Sequence, residues 1–372
     1  MIPVCTPTIK GNEKKYVNEC LDTNWISSNG RFIKEFEEKF AEFCDTKHAV
    51  SCSSGTAALH LALSALGISE GDEVIIPNFT MIATANAVKY VGATPVFADS
   101  ELDTWNVDPR EIESKISPRT KAIIVVHTYG CPVDMDSICE IADNYNLYIV
   151  EDAAEAHGAT YKGKKIGSLG DIAAFSFYGN KIITTGEGGM VTTNDTALAK
   201  KVASLRNHCF GEPRFIHHDL GFNYRMTNIQ AAIGVAQLEK ASELLEGRVV
   251  NAELYNERLK EVKGITLPPN CSYGKNVYWM YGILIDEKEF GMNKDQVMIG
   301  LKEYGVDTRS FFYPLHMQPL YRELHDGQSL LAYPNSEKLY REGLYLPSSS
   351  SLTIEEVEVV CLALKALSCR KK

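Results

Sequence analysis

The sequence predicts an α/β fold with a large, mostly parallel sheet and a smaller C-terminal α/β domain. Its first three-quarters alternate short apolar runs with amphipathic stretches. Runs such as 74–76 and 122–126 are apolar throughout, as expected of strands covered by helices on both faces. After residue 195 helical stretches dominate, and a chain of 372 residues exceeds what one hydrophobic core commonly serves.

Hydrophobic periodicity predicts each element of the first part. Small residues around Leu59, Leu63 and Leu66, for example, indicate a helix between two apolar strands. The predicted order is helix 13–21, helix 31–43, strand 48–52, helix 56–66, strand 74–76, helix 80–91, strand 94–98, helix 108–116, strand 122–126, helix 134–145 and strand 147–150.

The second part predicts longer helices and fewer strands. Its elements are helix 195–208, a largely helical stretch over 228–262 broken at Gly247, a strand from Tyr278, helix 293–304, an aromatic and proline-rich loop, and helix 354–367. We place the domain boundary inside the long helical stretch. Residues 1–245 are expected to form the large domain with an N-terminal arm, and residues 246–372 the small domain.

Composition excludes several classes of protein. Lysine and arginine number 38 against 48 aspartates and glutamates, and a net charge of −10 argues against nucleic-acid and acidic-membrane partners. No stretch is apolar enough to span a bilayer, and the first residues do not resemble a secretory signal, so we expect a cytoplasmic location. The ten cysteines form no Cys-x-x-Cys pair and the histidines are dispersed, so we expect no metal site.

A first candidate site lies at residues 51–58, Ser-Cys-Ser-Ser-Gly-Thr-Ala-Ala, where a strand ends and a helix begins. Gly55 lets the backbone approach a ligand closely, Thr56 adds a hydroxyl, and the helix N-terminus presents free N–H groups to an anion. The same residue types are ordinary helix caps. This segment alone leaves a phosphate site and a simple cap equally open.

Two acids, Glu151 and Asp152, stand at the carboxyl end of a predicted buried strand. Open α/β sheets bind ligands at this edge, although either acid could also cap the following turn. The small residues after Asp152 leave room for a flat ligand against the sheet.

A lysine, Lys181, follows another apolar strand and precedes a glycine-rich segment at 186–189. A solvated surface lysine is the simplest interpretation. However, small and apolar neighbours lower the pKa of an amine and favour the neutral form that condenses with a carbonyl. A lysine, an acid and a phosphate-binding turn together form the constellation that holds pyridoxal phosphate (PLP).

Several motifs in one order resemble the DegT/DnrJ/EryC1/StrS family of sugar aminotransferases. They are Ser-Gly-Thr at 54–56, Glu-Asp-Ala-Ala-Glu-Ala-His-Gly at 151–158, Ser-Phe-x-x-x-Lys-x-x-x-x-Gly-Glu-Gly-Gly at 176–189, Gly-Phe-Asn-Tyr-Arg-Met-Thr-Asn at 221–228 and Phe-Tyr-Pro-Leu-His at 312–316. The resemblance covers nearly the whole chain. It implies PLP fold type I, similar to aspartate aminotransferase, and a homodimer.

The resemblance also implies a role for each matching residue. Lys181 carries the cofactor as a Schiff base and then moves the proton, Asp152 pairs with the pyridinium nitrogen, and Glu155 lies near the ring hydroxyl. The residues expected to bind the phosphate are Gly55, Thr56, Ser176 and, from the other subunit, Asn223. The active site is therefore expected to be shared between two subunits.

The segment Thr-Asn-Trp-Ile-Ser-Ser at 23–28 most resembles the perosamine synthase branch of this family, and Glu155 fits that branch. From this segment we expect Trp25 and Ser27 to lie at the sugar substrate. Tyr313 and His316 of the aromatic loop are the other expected substrate residues.

One position departs from the family pattern. Met81 stands where relatives commonly have an aromatic residue stacked on the cofactor ring. A thioether still packs on a π-face, so we expect the cofactor to bind. Phe79 is a substitute candidate for stacking, and ordinary core filling is the alternative interpretation of Met81.

The implied reaction moves an amino group from L-glutamate, through the pyridoxamine form of the cofactor, to C4 of a nucleotide-linked 4-keto-6-deoxyhexose. GDP-4-keto-6-deoxymannose is the favoured acceptor. UDP- or dTDP-4-keto-6-deoxyglucose, giving viosamine, is the alternative, and a non-catalytic PLP-binding regulator is the alternative outside catalysis. The family's dehydratases have histidine in place of Lys181, which argues against that activity. The implied context is deoxyamino sugar biosynthesis, for a surface polysaccharide or another glycan.

Overall fold

The described part of the chain forms three β-sheets, of seven, four and three strands. The computed structural model describes residues 1–321 and 333–369. Its strands are β1 (His48–Cys52), β2 (Glu73–Pro77), β3 (Thr94–Ala98), β4 (Thr120–Val126), β5 (Tyr148–Asp152), β6 (Thr160–Tyr161), β7 (Lys164–Lys165), β8 (Ile172–Ser176), β9 (Gly189–Thr193), β10 (Ile265–Thr266), β11 (Gly274–Lys275), β12 (Tyr281–Ile285), β13 (Arg309–Ser310) and β14 (Gly343–Leu346). Its α-helices are α1 (Glu13–Asp22), α2 (Arg31–Phe43), α3 (Gly55–Leu66), α4 (Ala83–Tyr90), α5 (Pro109–Ser114), α6 (Met135–Tyr145), α7 (Thr196–Leu205), α8 (Asn228–Glu239), α9 (Ala241–Leu259), α10 (Glu287–Phe290), α11 (Lys294–Glu303), α12 (Pro334–Glu342) and α13 (Ile354–Ser368).

The large sheet has seven strands in the order β1-β9-β8-β5-β4-β2-β3. Every neighbouring pair from β8 to β3 is parallel, whereas β9 is antiparallel to both β8 and β1. Strand β9 reverses because the loop at 177–188 returns the chain beside β8 without a helical crossover. The prediction of a mostly parallel sheet is confirmed.

Helices cover both faces of this sheet. Phe36 of α2 belongs to the core on one face, together with Ile75 of β2. Leu61 of α3 belongs to the core on the other face, together with Val74 and Ile76. Successive residues of one strand point to opposite faces, so the continuous apolar run of β2 supplies both cores. The sheet's carboxyl-end edge is then left open to polar groups.

The small sheet has four antiparallel strands in the order β10-β12-β14-β13. Helices α11 and α13 pack on it together with the second half of α9. Leu244 of α9 lies in a core of the large sheet, whereas Tyr255 and Leu259 of the same helix lie in the core of the small sheet. We propose that the domain boundary falls near residue 245, within α9.

Several boundaries differ from the sequence predictions, three of them for reasons that the structure shows or by several residues. The long helical stretch breaks at Lys240, between α8 and α9, and not at Gly247, which lies inside α9. Gly247 serves a close approach, because a Cβ there would lie 2.4 Å from the Ser350 carbonyl oxygen. The strand predicted from Tyr278 begins three residues later, since Tyr278 has a φ of 47°. The helix predicted over 80–91 is the shorter α4.

Candidate active site

Two adjacent carboxylates at the end of β5 have separate surroundings. The fully buried Glu151 accepts hydrogen bonds of 2.8–2.9 Å from three backbone N–H groups of the loop at 167–170. Asp152 accepts hydrogen bonds from the Thr84 hydroxyl at 2.9 Å and from the Ala154 N–H at 3.3 Å. Neighbouring strand residues face opposite sides of the sheet, so Glu151 holds the loop and Asp152 is left for a ligand.

Burial raises the pKa of the Asp152 carboxyl, while the hydrogen bonds from Thr84 and Ala154 lower it. Among residues 1–321 and 333–369, no Lys, Arg or His forms an ion pair with Asp152. A buried carboxylate without a paired cation is costly. A protonated ring nitrogen would supply both the hydrogen-bond donor and the opposite charge.

Glu155 lies in the turn after β5, and its Oε2 accepts a hydrogen bond from the Tyr129 N–H at 2.7 Å. The Tyr129 backbone has a φ of 53°, in the left-handed region that few non-glycine residues adopt. Burial raises the pKa of Glu155 to about 7, and the charge of Lys181 opposes that rise. Glu155 is therefore a second buried acid beside the lysine.

Lys181 lies in the loop between β8 and β9. Burial lowers the pKa of its amine, whereas the charges of Glu155 and Asp152 raise it. The sequence prediction was that small and apolar neighbours would favour the neutral amine, and the structure gives the same direction. The Lys181 amine and the carboxyl groups of Asp152 and Glu155 therefore interact electrostatically within one buried site.

The predicted phosphate turn is built from three elements in contact. Ser54 caps α3 by accepting a first-turn N–H at 3.1 Å. A Cβ at Gly55 would lie 2.6 Å from the Ser176 Cβ, and one at Gly189 would lie 2.2 Å from the Ser54 carbonyl oxygen. Among the residues that the structure describes, no acceptor is found for the N–H groups of Gly55 and Thr56. An anion would satisfy these groups.

These groups fit PLP. A buried acid that forms no ion pair, a buried amine and a backbone anion cradle lie at the carboxyl ends of β5 and β8 and at the start of α3, among the described residues. Asp152 would hold the ring nitrogen, Lys181 would bind the carbonyl carbon, and the start of α3 would hold the phosphate. The donor set therefore matches the cofactor that the sequence motifs predict.

The position expected to stack on the cofactor ring is open. Met81 is 50% exposed just before α4, and its sulfur accepts the Ala83 N–H at 3.0 Å. Core filling is therefore the wrong interpretation of Met81. Phe79 is fully buried, with its ring centroid 5.8 Å from that of Phe311 and 6.1 Å from that of Tyr129. Its ring packs in an aromatic cluster, so of the two candidates only Met81 presents an exposed side chain.

The segment at 23–28 is exposed but its backbone is anchored. Asn228 at the start of α8 donates from Nδ2 to the Trp25 carbonyl at 2.7 Å and from its N–H to the Ser27 carbonyl at 2.7 Å. The Trp25 side chain is 57% exposed and Ser27 is exposed as well. A fixed backbone with exposed side chains is the arrangement expected of a surface that contacts a second molecule.

The two expected substrate residues of the aromatic loop differ in exposure. Tyr313 is half-buried, with its ring 5.0 Å from Tyr340. His316 is buried; its Nδ1 lies 2.8 Å from Asn78 Nδ2, and its Nε2 lies 3.3 Å from Glu337 Oε1. Because Asn78 follows β2, the His316 ring ties this loop to the large sheet.

Asn223 lies in the loop between α7 and α8, where it forms an isolated bridge with Asn207. Its side chain is exposed. No hydrogen bond of the Asn223 side chain is found among the described residues, although the carbonyl of the neighbouring Tyr224 accepts the Ser53 N–H at 2.8 Å, just before the phosphate turn.

Two residues at the site were missed by the sequence predictions. Lys181 Nζ lies 3.5 Å from the ring centroid of Trp279, and the buried Arg248 donates to the Trp279 carbonyl. The sequence placed Trp279 only within the strand predicted from Tyr278, and nothing in its neighbours indicated a lysine. Arg248 lies on α9, far from any motif.

Comparison with known proteins identifies the family. The model of the DegT/DnrJ/EryC1/StrS aminotransferase family matches residues 7–365. The chain belongs to this family. The GDP-perosamine synthase of Caulobacter vibrioides is 50% identical over 365 residues, covering 98% of this chain and 97% of that protein.

Solved structures in the family have the same fold. DesV of S. venezuelae, in complex with a ketimine intermediate, is 35% identical with a TM-score of 0.91, covering 97% of this chain and 95% of that one. DesI, in the presence of its TDP-sugar product, is 33% identical with a TM-score of 0.91, covering 100% and 93%. The chain is a PLP-dependent aminotransferase of fold type I, as its motifs predicted.

Within residues 1–321 and 333–369, no group of three or more His, Cys, Asp or Glu side chains could hold a metal ion. Over the same residues, no helix combines the length and apolar character needed to span a membrane. All ten cysteines are free thiols.

Proposed function

We propose that this chain transfers the amino group of L-glutamate to C4 of a GDP-linked 4-keto-6-deoxyhexose, as a GDP-perosamine synthase does. The observation that carries this proposal is the 50% identity to the Caulobacter enzyme over 98% of the chain. The buried lysine, acid and phosphate turn described above support the same chemistry. The cytoplasmic location expected from the sequence stays a prediction.

Lys181 and Asp152 do the chemical work in this proposal. Bound PLP supplies a carbonyl and an electron-withdrawing ring. The Lys181 Nζ would accept and return the proton that moves during the transfer, because burial lowers the pKa of this amine and favours the neutral base. The Asp152 carboxylate, oriented by Thr84 and Ala154, keeps a proton on the ring nitrogen. Glu155, fixed by the Tyr129 N–H, holds the ring hydroxyl.

The remaining contacts are proposed to need a second copy of the chain. The first N–H groups of α3 and the Ser176 hydroxyl hold the phosphate from one side, and Asn223 of the other subunit completes the cradle. Support comes from the exposed side chain of Asn223, for which no hydrogen bond is found among the residues that the structure describes. Trp25 and Ser27 are proposed to contact the nucleotide sugar.

One structural relative indicates a second candidate for the sugar that accepts the amino group. DesI was solved with a TDP-sugar product, so a dTDP-linked 4-keto sugar is the competing substrate. The Caulobacter relative is more similar over the whole chain, which favours the GDP sugar. Both candidates use the same cofactor residues and differ in the nucleotide.

A single-turnover experiment tests the function and names the substrate. The protein is loaded with pyridoxamine phosphate and mixed with GDP-4-keto-6-deoxymannose or with the UDP- or dTDP-linked 4-keto-6-deoxyglucose. We expect the PLP absorbance to return fastest with the GDP sugar. Return only with a dTDP or UDP sugar would reassign the nucleotide. Lys181→Ala is expected to abolish turnover, and a variant that retains turnover would contradict the proposal.

A further inference from the structure

The indole ring of Trp279 packs against the side chain of Lys181. Lys181 Nζ lies 3.5 Å from the ring centroid of Trp279, whose side chain is buried. The indole N–H donates to the Asn180 carbonyl at 2.9 Å, the peptide group just before the lysine. One side chain therefore contacts both the amine and the backbone of Lys181.

Trp279 is itself held in place from the opposite side. Arg248 donates one hydrogen bond to the Trp279 carbonyl. The Arg248 Nε donates another to Ser350 Oγ at 3.1 Å. The Cys5 thiol of the N-terminal arm lies 3.4 Å from the Asn180 carbonyl oxygen, beside the indole contact. Helix α9, the N-terminal arm and the segment before β12 thus converge on one position of the lysine loop.

An aromatic ring is a suitable contact for an amine that is released from the cofactor and later binds it again. In the proposed reaction Lys181 is alternately bound to the cofactor and free. The charges of Glu155 and Asp152 favour the protonated amine while it is free, and a protonated amine is attracted to an indole face without any hydrogen bond that must be broken on its return. No hydrogen bond of Lys181 Nζ is found among the described residues, which agrees with a contact made through the ring.

We propose that Trp279 is a positioning residue for Lys181, whose ring holds the free amine between the two half-reactions while its N–H fixes the lysine backbone. The inference rests on the proposed role of Lys181. It assigns Trp279 no contact with substrate. Asp152 is thereby left to the ring nitrogen and does not capture the amine.

Tryptophan fluorescence of the cofactor-free protein tests this contact directly, because an indole senses a charge above its face. The groups that face Lys181 and also titrate or carry charge are Asp152, Glu155, Cys5, His157 and Arg248. Lys181→Met removes only the amine. We expect a pH-dependent emission change in the wild-type protein that is absent in Lys181→Met and in Trp279→Phe.

Trp105 provides the matched control. It is as buried as Trp279 and packs 5.2 Å from the Phe311 ring. Trp105→Phe should keep the pH-dependent change. An emission change that persists in Trp279→Phe or in Lys181→Met would overturn the proposal.

Comparison of the proton-transfer rate with the substrate affinity provides the second measurement. Trp279→Leu removes the ring and the N–H, and we expect the single-turnover proton-transfer rate to fall on the order of tenfold, with substrate affinity unchanged. Trp279→Phe should lie between this variant and the wild type. Equal rates in Trp279→Leu and wild type would contradict the inference, while loss of turnover in Lys181→Ala would still support the proposed function.

Discussion

The active site combines two regions of opposite character. The buried edge consists of Asp152, Glu155 and Lys181, each enclosed and each with a shifted pKa. The exposed rim consists of Trp25 and Asn223, together with Ser27 beside Trp25 in the sequence; these side chains face outward. The three buried groups interact within one chain, whereas no hydrogen bond of the Trp25, Ser27 or Asn223 side chains is found among residues 1–321 and 333–369. The difference supports the proposal that one chain supplies the acids and the amine, while the rim side chains are left for a second subunit and the substrate.

Loss of the acid on the buried edge should have the largest effect. Asp152→Asn keeps the shape but removes the charge that retains a proton on the ring nitrogen. We expect proton transfer to slow by about 10²–10⁴-fold in single-turnover measurements, with cofactor still bound. Thr84→Val removes only one hydrogen bond to Asp152 and should cost far less. A wild-type rate in Asp152→Asn would contradict the assigned role.

Mixing inactive variants tests whether the rim acts across subunits. Asn223→Asp places a negative charge against the phosphate, and Lys181→Ala removes the lysine. If Asn223 acts in the partner's site, random re-association of the two variants restores roughly a quarter of wild-type activity, because half the dimers carry one intact site. Mixing Lys181→Ala with Asp152→Asn, both on the buried edge, should restore none. No recovery in the first mixture would place Asn223 in its own chain's site or outside it.

The buried edge should also make the free energy of unfolding depend on pH. The pKa of Glu155 is raised to about 7 from an ordinary value of 4.5, so the folded protein binds this proton more tightly than the unfolded chain. Its contribution to the free energy of unfolding is therefore full below pH 4.5 and is lost as the pH rises to about 7. The loss is at most about 3.4 kcal/mol, from about 2.5 pKa units at about 1.36 kcal/mol each. Urea unfolding of the cofactor-free protein should show this decline, and Glu155→Gln should remove it.

The smallest expected effect lies where edge and rim meet, at Met81. Met81→Phe adds an aromatic face at a half-exposed position, and ring stacking contributes about 0.5–1.5 kcal/mol. We expect PLP to bind a few-fold tighter, measured by titration of the cofactor-free protein. Met81→Leu, which adds no π-face, should leave the affinity near that of the wild type. Equal affinities for Phe and Leu would mean that this position does not cover the ring.

The sequence allowed prediction of the buried edge because its chemistry is local. Asp152 ends an apolar strand and Lys181 follows another, so parallel pairing alone brings both to one edge. Even the different roles of Glu151 and Asp152 follow from strand alternation once the fold is known. The residues from distant parts of the chain, Trp279 and Arg248, were missed because only the folded chain brings them to the lysine.

The errors have equally physical causes. Gly247 was predicted to break a helix, but it lies inside α9. Glycine is needed there because the Ser350 backbone approaches too closely for a side chain. The substrate role of His316 stays a prediction, and the sequence did not show that Asn78 and Glu337 also contact its ring. A single sequence shows neither a close approach nor a tertiary hydrogen bond.

Helix α9 makes the two halves of the molecule dependent on each other for stability. It supplies Leu244 to a core of the large sheet and Tyr255 and Leu259 to the core of the small sheet, within one uninterrupted helix. Fraying of this helix removes support from both cores at once. We therefore expect calorimetry of the cofactor-free protein to show a single cooperative transition, whereas two separate transitions would mean that the helix divides before either core melts.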